Sequence, residues 1–190
     1  MADSSKIANP GPLGLSGFAL TTLILSFVNA NIFGGDAHLS AFVVLPVALT
    51  FGGVAQMLAG MWEFKSGNTF GATAFTAYGA FWIGIGLYLW FAMSSPGFKP
   101  GDESLGMILL AWTVFTLYMV FGALRINFAM AALFIVLFIT FILLDIGALA
   151  ANQGFTLLGG YLGILTALIA FYMAAAGVLK DLAGKDVLPV

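Results

Sequence analysis

Cysteine is absent from the 190 residues, and there is a single histidine, His38. The first absence excludes disulfides, thiolate nucleophiles and iron–sulfur clusters. The second leaves no histidine pair for a haem and no histidine cluster for a metal. Charge is equally scarce, with 7% charged residues and a formal net charge of −2, which gives a nucleic-acid backbone nothing to bind. No glycine-rich phosphate loop carries a lysine, and no two carboxylates share a helix face, so the chain does not read as an enzyme and calls for no cofactor or metal. His38 falls in a polar turn, where a solvated role is expected.

What fills the sequence instead is hydrocarbon. Hydrophobic residues make up 62% of the chain, and a bilayer core about 30 Å thick takes roughly 20 apolar residues per helical crossing. Six such stretches nearly exhaust it. They are expected at about Leu13 to Phe33, Leu39 to Trp62, Thr69 to Met93, Ser104 to Leu124, Phe128 to Gly147 and Phe155 to Leu179. The result is an all-α membrane protein, a single integral membrane domain over 1–190 with short tails at 1–12 and 180–190. Met1 to Ala8 form no separate signal peptide, because the first apolar run is itself long enough to span. Pro46 is expected to bend the second span, and Ser94 to Glu103 make the longest loop.

An even number of spans puts both ends of the chain on one side. That side carries Lys6, Lys65, Arg125, Lys180 and Lys185, and the other only Lys99, so the positive-inside rule makes both termini cytoplasmic. Gly67 and Gly71, Gly159 and Gly163, Gly52 and Gly53, Gly79 and Gly84 are expected to let helices approach closely.

A faint repeat runs through the spans. Asn68 stands 59 positions after Asn9, and Asn127 stands 59 after Asn68; each opens a long apolar run. Ala59-Gly60 and Gly67 are echoed by Ala176-Gly177 and Gly184. Together these suggest three helical hairpins in tandem.

Within the spans, Glu63 and Asp145 are the ionisable residues, both near helix ends, where an interfacial or structural role competes with proton carriage. The amides of Asn29, Asn31 and Gln56 need partners in hydrocarbon and are expected to face the bundle interior. In the first span Phe18, Thr22, Leu25 and Asn29 share one face. Thr73, Thr76 and Thr140 add hydroxyls in the third and fifth spans, although threonine often bonds back to its own helix.

Two stretches carry a family resemblance. Asn9-Pro10-Gly11-Pro12-Leu13-Gly14-Leu15 resembles the opening signature of the acetate uptake transporter family. Phe51-Gly52-Gly53-Val54-Ala55-Gln56, followed by the run from Gly67-Asn68-Thr69-Phe70-Gly71 to Tyr78-Gly79-Ala80-Phe81-Trp82, is similar to that family's two longer blocks. Departures are Gly11 for alanine, Ala77 for serine, and Ile146-Gly147-Ala148 where the family has Phe-Gly-Asn.

The resemblance implies six helices around a central pore in each protomer, a homohexamer in the cytoplasmic membrane, and passage of acetate and sometimes succinate. It also implies a hydrophobic constriction of Phe18, Tyr78 and Leu137. These stand 9, 10 and 10 positions after Asn9, Asn68 and Asn127, which at 1.5 Å per residue is roughly 15 Å, or half the hydrocarbon thickness. The path is expected to run past Thr22, Asn29, Gln56, Thr73, Thr76 and Thr140. The helix starts at Asn9, Asn68 and Asn127 offer N–H groups and positive dipole ends to an anion, and Glu63 and Asp145 are the proton-coupling candidates. Channel-like and proton-coupled passage both stay open, as does a pore for a neutral solute such as ammonia or water.

Overall fold

The computed structural model describes residues 7–34, 37–95 and 102–190, except for the side chains of 37–41 and of residue 102. The expected tail from Met1 to Lys6, the Gly35-Asp36 turn and the loop residues Pro96 to Gly101, with Lys99, lie outside the described residues. The elements are α1 (Gly11–Asn29), α2 (Ala37–Leu49), a π-helical stretch (Thr50–Ala55), α3 (Gln56–Ser66), α4 (Thr69–Ser94), α5 (Asp102–Ala123), α6 (Phe128–Leu149) and α7 (Gln153–Ala183). Among the described residues there is no strand, and six helices are long and apolar enough to cross a membrane.

The boundaries differ from expectation in instructive places. α1 begins at Gly11, so Gly11 and Pro12 belong to the helix and not to the tail; Pro12 sits in the first turn, where its missing N–H has no partner to lose. α2 begins at Ala37, which puts His38 in a helix and not in a turn. α7 runs through Ala183 and stops at Gly184, whose φ of 68° is the left-handed conformation glycine adopts without strain. Lys180 to Ala183 are therefore helical. At 31 residues α7 is about 46 Å long, about 16 Å more than the thickness of a bilayer core. The tail then folds back along it: Lys180 pairs with Asp186 at 2.7 Å, and the Tyr172 hydroxyl donates to the Pro189 carbonyl at 2.6 Å.

The second span is the irregular one. Pro46 removes a backbone donor inside α2, and the Pro46 carbonyl accepts from the Thr50 hydroxyl at 2.7 Å. Six residues of π-helix follow, and the extra residue per turn swings α3 round so that Gln56, Ala59, Gly60 and Glu63 are buried. Gly52 and Gly53 sit inside the wide turn. A Cβ on Gly52 would strike the Thr21 side chain of α1, and one on Gly53 would lie 2.5 Å from the Ala48 carbonyl and 2.7 Å from Ile83.

The spans form a ring in chain order, closed by α1 against α7. Glycines set the close approaches. Gly17 faces the Phe51 carbonyl, Gly160 faces the backbone of Ala30, and Gly163 faces Ser26, which wedges α1 between the second and sixth spans. Gly79 meets the Gly53 carbonyl and Met57 in the same way. Two expected contacts are absent. Gly67 is the left-handed cap of α3, with φ 79° and open space where a side chain would go, and nothing approaches Gly84 within 4 Å. The third and fourth spans meet through long side chains, with Phe81 and Tyr78 against Trp112 and Phe115.

Gly17→Leu would bring a Cβ to 2.6 Å from the Phe51 oxygen, and overpacking of this kind costs about 1–3 kcal/mol. The apparent melting temperature in detergent is expected to fall clearly for Gly17→Leu and to stay near native for Gly84→Ala.

Candidate functional site

Three cavities follow one another through the bundle. The first lies on the side of the chain termini, holds about 320 Å³, and is lined by Asn9, Gly11, Gln56, Glu63, Asn68 and Gly71 together with Leu15, Phe18, Phe75, Tyr78, Phe134 and Leu137. Next comes a small cavity of about 40 Å³, lined by Phe18, Thr22, Leu25, Ser26, Asn29, Trp82, Leu137 and Thr140 among others. The third, of about 210 Å³, is lined by Leu25, Asn29, Phe81, Tyr88, Gln153 and Thr156 among others. Phe18 and Leu137 line both the first and the second, so they form the wall between them. Leu25, Asn29, Phe81, Leu109 and Leu144 are shared by the second and third.

The wall between the first two cavities is apolar and tightly held. Phe18 packs edge-on to Tyr78 with ring centroids 5.7 Å apart, and Phe115 packs edge-on to Tyr78 at 5.3 Å. Tyr78 is 2% exposed, and Phe18 and Leu137 are nearly as buried. The Tyr78 hydroxyl and the Thr116 hydroxyl lie 2.8 Å apart. Phe18, Tyr78 and Leu137, one from each odd-numbered span, thus all line the first cavity.

At the mouth of the first cavity the helix starts do more than expose N–H groups. The Asn68 carbonyl oxygen accepts from Gly71 N–H at 3.1 Å while its amide donates to Glu63 at 2.9 Å, and the Ser66 hydroxyl lies 3.0 Å from the Glu63 carbonyl and 3.2 Å from the same carboxylate oxygen. Asn127 accepts from Met130 N–H at 2.8 Å. Asn9 accepts from Gly11 N–H at 3.0 Å, and the cap of α1 is Pro10 and not Asn9. Glu63 is buried between the starts of α1 and α4, close to both Gly11 and Gly71. Its carboxylate therefore occupies part of the positive region that the two helix starts create.

Of the polar residues expected along a path, Gln56 lines the first cavity, Thr22 and Thr140 the second, and Asn29 the second and third. Two others do not. Thr76 is turned to Gly60 in the contact between the second and third spans, and Thr73 lines none of the three cavities. A helix start can be read from sequence, but the rotation of a helix about its axis is set by its neighbours. Asn31 is not interior either: it is exposed in the turn after α1 with φ 48°, a left-handed conformation that asparagine tolerates. Asp145 lines none of the cavities. It is buried between the fourth and fifth spans, where one oxygen lies 2.6 Å from the Thr113 hydroxyl and the other has no protein partner. Trp82 is a cavity-lining residue that sequence reasoning missed. It lines the small cavity, and its indole N–H is buried without a partner; the only signal was its place at the end of the long motif.

The profile of the GPR1/FUN34/yaaH family matches residues 1–184. The chain belongs to that family. It is 38% identical to the succinate-acetate/proton symporter SatP of Escherichia coli K12, over 98% of this chain and 97% of that one. It is also 38% identical to acetate permease A of Emericella nidulans, covering 99% of this chain and 67% of the relative. Ammonia transport outward protein 2 of Saccharomyces cerevisiae is 42% identical over 91% of this chain and 62% of its own length. The solved structure of the bacterial acetate channel SatP superposes with a TM-score of 0.90 at 39% identity, covering 97% of this chain and 99% of that one. Within this family the second block, Phe51 to Gln56, gains a physical reason: it is the π-helical stretch with the first residue of α3.

Asn68→Ala removes both the α4 cap and a donor to Glu63, and loss of such a cap costs about 1 kcal/mol. The melting temperature of the purified protein is expected to fall more for Asn68→Ala than for Asn9→Ala, whose bond to Gly11 is exposed.

Proposed function

We infer that this protein carries acetate and related small carboxylates, succinate among them, across a membrane. The observation that carries the reading is the file of cavities on either side of the Phe18, Tyr78 and Leu137 ring, in a chain alike end to end to a bacterial acetate channel. We take the ring as the constriction and Gln56, Thr22, Thr140 and Asn29 as the polar side chains of the path. The whole chain, 1–190, acts as one transport domain and not as an enzyme.

The chemistry of the path limits how a carboxylate passes. A carboxylic acid with a pKa near 4.5 is more than about 99% ionised at neutral pH, and an apolar ring offers the anion nothing in place of its water. Passage past the ring therefore favours the neutral acid, which couples acetate movement to a proton. Glu63, at the mouth of the first cavity, is the better-placed proton carrier of the two acids, because Asp145 lines none of the cavities. By the positive-inside rule both termini face the cytoplasm, and by family likeness the protomers assemble as a homohexamer in the cytoplasmic membrane. A second reading, a pore for ammonia, is favoured by the relative named for ammonia export and by the apolar ring, which suits a neutral solute.

Labelled acetate uptake into proteoliposomes, with and without an inward proton gradient, tests the reading. Protein-dependent flux that rises with the gradient and changes about tenfold in Phe18→Ala and Tyr78→Ala is expected, equivalent to about 1.4 kcal/mol in the barrier. Ammonia flux without acetate flux from folded protein selects the second reading. Topology has its own test in this cysteine-free chain: Lys185→Cys should react with a membrane-impermeant maleimide in inverted vesicles and be protected in intact cells.

A further inference from the structure

The Tyr78 hydroxyl sits at the constriction, and what it can do depends on where its one proton goes. Thr116 decides this. Its hydroxyl is 2.7 Å from the carbonyl of Trp112, one turn back in α5, and 2.8 Å from the Tyr78 hydroxyl. A carbonyl only accepts, so the single proton of Thr116 lies on Trp112, and the bond between the two hydroxyls must be made by the proton of Tyr78. Thr116 has no exposed surface. The tyrosine ring is held as firmly, by Phe18, Trp112, Phe115 and Phe134 with centroids 5.3 to 6.2 Å away.

We propose that Thr116 is a positioning and specificity-determining residue: by accepting the Tyr78 proton it strips the constriction of its only hydrogen-bond donor. Phe18 and Leu137 have none, so the ring presents a passing carboxylate with no replacement for its water. Discrimination against the anion at the ring then belongs to the fourth span, through a residue that lines none of the three cavities. This rests on the ring being the constriction of a carboxylate path. The bond itself is tested independently of transport.

The direct measurement is the tyrosine Fermi doublet in the ultraviolet resonance Raman difference between native and Tyr78→Phe protein. A donor pattern is expected for Tyr78, lost in Thr116→Val and kept in Thr116→Ser; an acceptor or unbonded pattern in the native protein overturns the proposal. In proteoliposomes, Thr116→Val should change the acetate-to-succinate flux ratio about fivefold, the kinetic equivalent of one net hydrogen bond. Thr116→Ser should stay native-like, and Thr116→Val added to Tyr78→Phe should change nothing further. Equal effects of Thr116→Val with and without the Tyr78 hydroxyl overturn the specificity role. Should Thr116→Val fail to fold, the native difference spectrum and Thr116→Ser still decide the matter. A native donor pattern with no acetate flux would sink the transport reading and leave the bond standing.

Discussion

The close seating of α1 between the second and sixth spans is the contact on which the rest of the structure depends. In lipid there is no hydrophobic gain from joining two apolar helices, so packing and backbone proximity have to hold them. Gly17 on Phe51, Gly160 on Ala30 and Gly163 on Ser26 give that proximity at successive levels. Because α1 is fixed on two sides, Phe18 and Thr22 are fixed towards the interior. Phe18 is thereby held edge-on to Tyr78.

The second span pays for this arrangement with its irregularity. Pro46 and the π-helical stretch break the regular ladder, and Gly52 and Gly53 let the widened turn lie against Thr21 and Ile83. The same widening turns Gln56 and Glu63 inward, both into the lining of the first cavity. A regular helix from Phe42 to Ser66 would point a different face at the bundle. A motif that looks like a packing signature is therefore also a rotation device.

Polar groups serve the bundle or face the cavities, and Thr140 does both. Thr113, Thr116, Thr140 and Thr166 all bond back to carbonyls four residues earlier, which is how a hydroxyl is tolerated in hydrocarbon. Thr22, Gln56 and Trp82 each keep a buried polar atom without a protein partner and each line a cavity. Unpartnered groups are costly to keep; these three stand at cavities, whereas those of Thr76 and Asp145 do not.

The sequence by itself determined the class, the number of spans, and the depth of Phe18, Tyr78 and Leu137, because hydrophobic run length and helical rise are local quantities. It also marked the helix starts at Asn68 and Asn127, since a cap is an interaction of a side chain with its own next turn. Only the tertiary structure decided which face of each helix looks inward. It left Thr73 and Thr76 outside the three cavities, buried Asp145 beside Thr113, put Trp82 in the lining of the small cavity, and set the Tyr78 hydroxyl against Thr116. Those outcomes depend on the azimuth of each helix, which shifts with a single extra residue in a π turn and is fixed by glycine contacts between segments far apart in the chain. Depth is written along a helix; direction is agreed between helices.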